Sequence, residues 1–241
     1  MRSPPNRSAV PRIDRRQALL FLALATGGLP GQLRAQEPPV LSPELPARIP
    51  IFPLPDVTLF PSTTAPFHIF EARYRAMVAD ALAGNSIIGM VVLKPGYEAQ
   101  YEGLPPVHAI GCAGVIASSR LLADGRYDII LRGLTRFRIL GEDQSRAYRL
   151  ADVAALPDRI DDTERARLSE LRRQVEDAIR TRFPSVPELR ADLADEAVID
   201  GLSLLLPIRA EEKLELLEAE NPVERAETLI RFLRGGVQAS L

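Results

Sequence analysis

Apolar residues change their spacing at Pro157, and that change limits the chain to a mixed architecture. Before it, apolar runs are short and interrupted by Pro and Gly, the habit of brief strands joined by turns. After it, Leu168, Leu171, Val175, Ile179 and Phe183 recur at the 3.6-residue period of an amphipathic helix. The two habits imply a β-rich part over residues 49–157 and a helical bundle over residues 158–241.

Within the first part, Ile49–Leu54 and Val57–Phe60 read as short strands, kept short by Pro50, Pro53, Pro55 and Pro61. Residues 69–82 read as a helix, with Phe70, Tyr74, Met77, Val78 and Leu82 on one stripe. Residues 86–93 are a continuous apolar strand, and 107–118 a longer one whose Gly111 and Gly114 invite a bulge. Asp124-Gly125 marks a hairpin turn before Tyr127–Leu131. Gly133 separates that strand from Phe137–Leu140, and Tyr148–Leu156 follows. Six or so short strands and one helix predict a small, bent antiparallel sheet or pseudo-barrel.

In the second part, Asp161, Asp162 or Thr163 caps the first helix. A second helix is predicted over 189–205, weakened by Gly201, and a third over 213–220. The fourth has the fullest signature: Asn221 at the cap, Pro222 at the first position, Glu224 as the returning acid and Gly235-Gly236 at the end.

The amino terminus reads as an address. Arg2, Arg7, Arg12, Arg15 and Arg16 precede an apolar run from Ala18 to Ala25, too short to span a bilayer, and small residues follow. Residues 1–35 are therefore predicted to be a signal peptide, with Arg15-Arg16 suggesting the twin-arginine type, and the protein to be periplasmic or secreted. Residues 36–48 hold four prolines and read as an extended linker. The first 35 residues carry six Arg and one Asp, so the net charge of −2 for the whole chain leaves −7 for the remainder. That balance argues against a nucleic-acid-binding module.

Few residues offer chemistry. Cys112 is the only cysteine and lies in an apolar, glycine-rich run, as a buried small hydrophobe would. His68 and His108 are the only histidines, and Lys94 and Lys213 the only lysines. No cofactor and no metal site is expected from such a set. Glu71 near the start of the first helix suits the helix dipole and an i,i+4 pair with Arg75. His68 reads as a capping or packing residue. Arg126, Arg132, Arg136 and Arg138 cluster around one hairpin and read as a solvated or acid-paired face. Asp161-Asp162 and Glu211-Glu212 sit beside helix ends and read as caps. For binding, Tyr97 and Tyr101 place two aromatics in a polar loop, and Phe60 and Phe67 flank prolines near it; these four are the candidate peptide contacts.

Three runs carry a family resemblance: Ile49-Pro-Ile-Phe-Pro-Leu-Pro-Asp-Val-Thr-Leu-Phe-Pro61, Pro66-Phe-His-Ile-Phe-Glu-Ala-Arg-Tyr-Arg75, and Asp124-Gly-Arg-Tyr-Asp-Ile-Ile-Leu-Arg-Gly-Leu-Thr-Arg-Phe-Arg-Ile139. In this order and at these separations they resemble the amino-terminal, substrate-binding domain of Lon proteases. The resemblance implies an α+β fold, a PUA-like β pseudo-barrel followed by a carboxy-terminal helical bundle. It also implies binding of unfolded polypeptide or a protein partner rather than catalysis. A motor would need a Gly-x-x-x-x-Gly-Lys-[Ser/Thr] loop, and neither lysine has that setting. Both lysines fall in segments matching the binding domain, so no Ser–Lys peptidase pair is expected, and 241 residues leave no room for either module. An exported chain could not serve a cytoplasmic Lon as an adaptor. The alternatives are an RNA-binding PUA-like protein and a hydrolase built on a serine beside His68 or His108.

Overall fold

The computed structural model describes residues 44–97, 103–182 and 192–235. The expected signal peptide and the greater part of the linker lie outside them. Six strands come first, β1 Arg48–Leu54, β2 Thr64–Ile69, β3 Ile87–Val92, β4 Ile110–Leu121, β5 Tyr127–Asp143 and β6 Arg149–Leu156, with helix α1 Ala72–Ala83 between β2 and β3. Four helices follow: α2 Asp162–Arg182, α3 Asp195–Leu205, α4 Ala210–Glu218 and α5 Pro222–Arg234.

The sheet runs in the order β2-β5-β4-β3-β1-β6, and β5 also pairs with β6. Those pairings close β5, β4, β3, β1 and β6 into a ring, with β2 added on the outside of β5. The length of β5 makes this possible. Its first half, Tyr127 to Arg132, pairs with β2, and its second half, Arg136 to Asp143, pairs with β6. Register shifts at Ala113/Gly114, Ile116/Ser118 and Ile139/Gly141 supply the bends that closure needs.

Both sides of the barrel wall are covered, which is why β3 shows a continuous apolar run instead of alternation. Ile49, Ile51, Ile87, Val91, Phe137 and Val153 fill the interior. Phe137 is fully buried there because Gly89 and Gly111 make room for it. A β-carbon on either glycine would stand 2.7 or 2.8 Å from its ring tip. The alternate residues Phe52, Ile88, Met90 and Cys112 face outward into a second, larger core shared with α1 and the helical bundle.

Several expectations change. The sheet is mixed rather than antiparallel: β1 and β3 run parallel, Ile51 beside Gly89, because β2 and α1 form a crossover between them. Val57–Phe60 is not a strand. Phe60 turns back through Pro61 and Ser62, whose φ is 58°, and Thr63 bonds the Phe60 carbonyl through both its amide (3.3 Å) and its hydroxyl (2.7 Å). Gly133 does not break β5. Its amide donates to the Thr63 carbonyl at 2.8 Å, and a β-carbon there would meet the Phe60 carbonyl oxygen at 2.0 Å. The glycine thus permits close approach of the turn to the strand. Residues 64–68, unassigned from the sequence, and Ile69, read as the helix start, form β2, and this delays the first helix to Ala72. Glu71 then pairs with Arg73 at 2.9 Å, not with Arg75.

Helix ends follow the sequence more closely. Asp161 and Glu164 bond each other's amides at 2.9 and 2.8 Å, a complete capping box. Asn221 accepts from the Glu224 amide at 3.0 Å, and Glu224 returns to the amide of Glu220 instead of Asn221. Arg209 and Glu212 cap α4, which starts three residues before the predicted Lys213. The predicted first half of the second helix lies largely outside the described residues, and α3 begins at Asp195.

Barrel and bundle are joined by a buried cluster of four charges. Arg136 of β5 is only 3% exposed. It donates to Asp158 at 2.8 Å, to the carbonyls of Leu217 (3.2 Å) and Glu220 (2.7 Å), and to that of Ala219. These carbonyls end α4, so a barrel side chain completes a helix of the bundle. Arg225 of α5 is fully buried and donates to Asp200 of α3 at 2.6 Å, to Asp158 at 3.1 Å and to the Leu216 carbonyl at 3.0 Å. Of the four hairpin arginines, Arg136 is therefore acid-paired but interior, whereas Arg138, two residues along, is exposed.

Candidate functional site

Strand alternation puts Thr64, Pro66 and His68 of β2 on the exposed side and Ala65, Phe67 and Ile69 on the other. Cross-strand register then builds two adjacent rows on the outer face. Pro66 lies beside Ile130 of β5, which lies beside Ser118 of β4; His68 lies beside Asp128, which lies beside Arg120. Phe70, just past β2, stacks over His68 with ring centroids 6.3 Å apart. Phe70 is 47% exposed and Ile130 40%, large apolar groups left in solvent next to Pro66.

The polar row is a continuous chain of hydrogen bonds. Arg120 donates to Asp128 at 2.6 Å, and Asp128 faces His68 Nδ1 at 2.7 Å. Arg126 approaches His68 Nε2 at 3.1 Å and pairs with Asp124 at 2.6 Å. A guanidinium only donates, so Nε2 accepts, and Nδ1 carries the hydrogen given to Asp128. The His68 and Arg120 hydrogen bonds hold the Asp128 carboxyl below its usual range, and Arg126 does the same for Asp124. His68 is therefore a fixed member of the face. It is a strand residue, not a helix cap.

This arrangement leaves the histidine without a nucleophile. Arg126 occupies the nitrogen that a serine would need, and among the described residues no serine hydroxyl bonds either histidine. His108 is partly buried, and burial lowers its pKa. Lys213 borders a shallow cavity of about 580 Å³ with Asp56, Ile208 and Arg209. Its ammonium donates to the Leu204 carbonyl at 2.6 Å in the last turn of α3, and burial lowers its pKa against the pull of Asp56. That bond makes it a cap for α3. Cys112 is fully buried, and desolvation pushes its thiol up. Among the described residues no three His, Cys, Asp or Glu side chains are placed to hold a metal ion, and no helix is long and apolar enough to cross a membrane.

Of the four aromatics predicted as peptide contacts, the three that are described do not assemble. Phe60 is fully buried in the larger core, so it offers no surface; its place in the turn onto Gly133 puts it there. Phe67 is half-buried on the core side of β2, edge-on to Phe52 at 5.8 Å. Tyr97 is 39% exposed but follows β3, three positions from β2 in the sheet order. Tyr101 lies outside the described residues. Sequence reasoning missed Phe70, taken as a helix-stripe residue, and Ile130. Alternation through 64, 66, 68 and 70 was the available signal for Phe70.

Comparison with known proteins agrees with the architecture. The profile of the ATP-dependent protease La (LON) substrate-binding domain matches residues 48–235. The Lon protease of Anaeromyxobacter dehalogenans is 24% identical over 208 residues, covering 83% of this chain and 25% of that protein. Lon protease 1 of Bdellovibrio bacteriovorus is 27% identical over 194 residues, covering 77% and 24%. The chain thus spans about a quarter of the length of the curated relatives it matches. A Lon N-terminal domain protein from Xanthomonas campestris superposes with a TM-score of 0.54 at 24% identity, over 77% of this chain and 98% of that one. The N-terminal domain of Mycobacterium avium complex Lon protease gives 0.58 at 19% identity, over 78% and 98%. These structures establish the fold, a closed β-barrel followed by a helical bundle, and the profile match covers most of the chain. The chain belongs to the family of the Lon substrate-binding domain.

Proposed function

We propose that this protein is a non-enzymatic module that binds polypeptide segments through the outer face of β2, β5 and β4. The observation that carries this reading is the solvent exposure of Phe70 and Ile130 beside Pro66, on a rigid sheet held by the Arg120–Asp128–His68–Arg126 chain. Exposed aromatic and aliphatic groups on a fixed scaffold lose little entropy on contact and can anchor a ligand. Family membership supports a substrate-binding role over a catalytic one. So do the commitments of His68 to Arg126 and of Lys213 to a helix carbonyl.

A saturable interaction with unfolded model proteins is expected, along with slower aggregation of those proteins on heating. Phe70→Ser with Ile130→Ser is expected to weaken binding about tenfold while lowering the melting temperature by only a few degrees, because both side chains are already substantially exposed. Titration of a fluorescent unfolded substrate against both forms measures this. Equal affinities would move the contact surface elsewhere, and absence of binding by the wild type would end the proposal.

We also propose that residues 1–35 direct export, on the strength of their basic and apolar blocks. Sequencing the amino terminus of the protein recovered from its native host decides this. A start near residue 36 supports export with cleavage, and an intact leader in the cytoplasmic fraction refutes it.

A further inference from the structure

We infer that the polypeptide bound on the outer face of β2, β5 and β4 carries acidic residues flanking its apolar ones. The inference rests on the binding role proposed above and adds the chemistry of the ligand. Its basis is the charge around Ile130. Along β5, Asp128, Ile130 and Arg132 share the exposed side, so the apolar residue has an Asp–Arg pair two positions before it and a guanidinium two positions after it. Arg132 is partly buried on β5, beside Thr64 of β2 and Val115 of β4. Arg120 is 75% exposed and, among the described residues, bonds Asp128, which leaves further donors in solvent. Arg75 of α1 lies over the β4–β5 turn, its guanidinium nitrogen 2.8 Å from where a Gly125 β-carbon would be.

Arg132 and Arg120 thus flank the apolar centre, and Arg126 and Arg75 stand at the turn end of the same hairpin, four arginines against Asp124 and Asp128 on a chain whose overall charge is −2. Both aspartates are already spent on Arg126, His68 and Arg120. Carboxylates brought by a ligand meet the outward donors of Arg120 and Arg132, while lysines or arginines on the ligand meet like charge. A nucleic-acid backbone fits less well, because Asp124 and Asp128 stand within the patch and its centre is aliphatic.

The test uses the full chain and two labelled twelve-residue peptides with the same central Leu-Phe-Leu, one flanked by Asp and Glu, the other by Lys and Arg. At low salt the acidic peptide is expected to bind about five- to tenfold more tightly, and the preference to collapse in 0.5 M salt. Arg132→Ser, which leaves the Arg120–Asp128–His68–Arg126 chain intact, is expected to at least halve the preference while retaining binding of an unfolded model protein. Equal affinities, a preference for the basic peptide, or a preference unchanged in Arg132→Ser would overturn the inference. Displacement of the acidic peptide by an RNA oligonucleotide at physiological salt would overturn it too. If neither peptide binds while unfolded proteins do, the charge rule fails and the binding role stands. If nothing binds, both fail.

Discussion

Arg225→Ala is expected to cost about 3–5 kcal/mol of stability, enough to bring a domain of ordinary stability close to unfolding at ambient temperature. The side chain is fully buried, and its removal strips a cation from Asp200, which is itself almost fully buried, and from Asp158. The loss has two parts: the hydrogen bonds of Arg225 to Leu216, Asp158 and Asp200, and, at pH values where Asp200 is ionised, the bare charge left behind. A control separates these: Arg225→Met combined with Asp200→Leu removes both charges and fills part of the volume, and is expected to recover most of the loss. Asp158 keeps Arg136 in either variant. Urea unfolding of the wild type, Arg225→Ala and the double variant measures both differences. A single-variant cost below about 1 kcal/mol would contradict the picture, since that is the range of exposed pairs.

The second large effect concerns pH. Burial pushes Asp200 up to about 7, although Arg225 pulls it down and Asp158 adds to the rise. Burial also opposes the charge on Arg225, but Asp200 and Asp158 outweigh it and keep that proton bound. An acid whose folded pKa lies above its unfolded value holds its proton more tightly in the folded state. Its favourable contribution is therefore complete below about pH 4 and is lost as pH rises through 7. A span of about three pH units corresponds to about 4 kcal/mol at most. Asp200→Asn keeps an acceptor for Arg225 and removes the titration. Relative to this variant, the wild type is expected to lose stability steadily between about pH 4 and 7 and to level off above that. The subtraction also cancels His108, whose lowered pKa makes it titrate in the opposite sense, and the surface carboxylates whose lowered pKa values place their effects under pH 4. Parallel profiles for the two proteins would refute the assignment. The Arg225→Ala penalty should likewise shrink in acid, because a protonated Asp200 leaves no bare charge.

Legibility of the fold in the sequence followed the range of the forces involved. Local signals held: the Asn221-Pro222 cap, the Asp161 box, the Asp124-Gly125 turn and the apolar run of β3 depend on residues a few positions apart. Gly133 misled because a glycine that breaks a strand and one that admits a neighbouring carbonyl look alike until Phe60 is placed against it. Arg136 read as surface because nothing local announces a partner such as Asp158 or the carbonyls ending α4. The parallel β1–β3 pair was hidden because the crossover between them contains a strand, β2, interrupted by Pro66. At the site the error was one of parity. Phe67 lies in β2 but points away from the face proposed for binding, since in a structure of period two a single residue's offset selects the opposite face. Ile129 and Ile130 are chemically identical, and only the register against β2 decides which is buried.

The closed ring has a kinetic consequence. Strand β1 is interior to the sheet order, and one of its two neighbours, β6, arrives about a hundred residues later, Arg48 bonding Asp152 across a separation of 104. On a ribosome, β1 emerges long before the strand that completes it. Until residue 152 is available it can pair only with β3, leaving a row of amides and carbonyls open to any passing chain. Closing so long a loop is also entropically slow, which places folding of the barrel with high-contact-order β-proteins, in milliseconds to seconds rather than microseconds. A member of a substrate-binding family is thus itself, for the length of its synthesis, a chain with an unfinished edge.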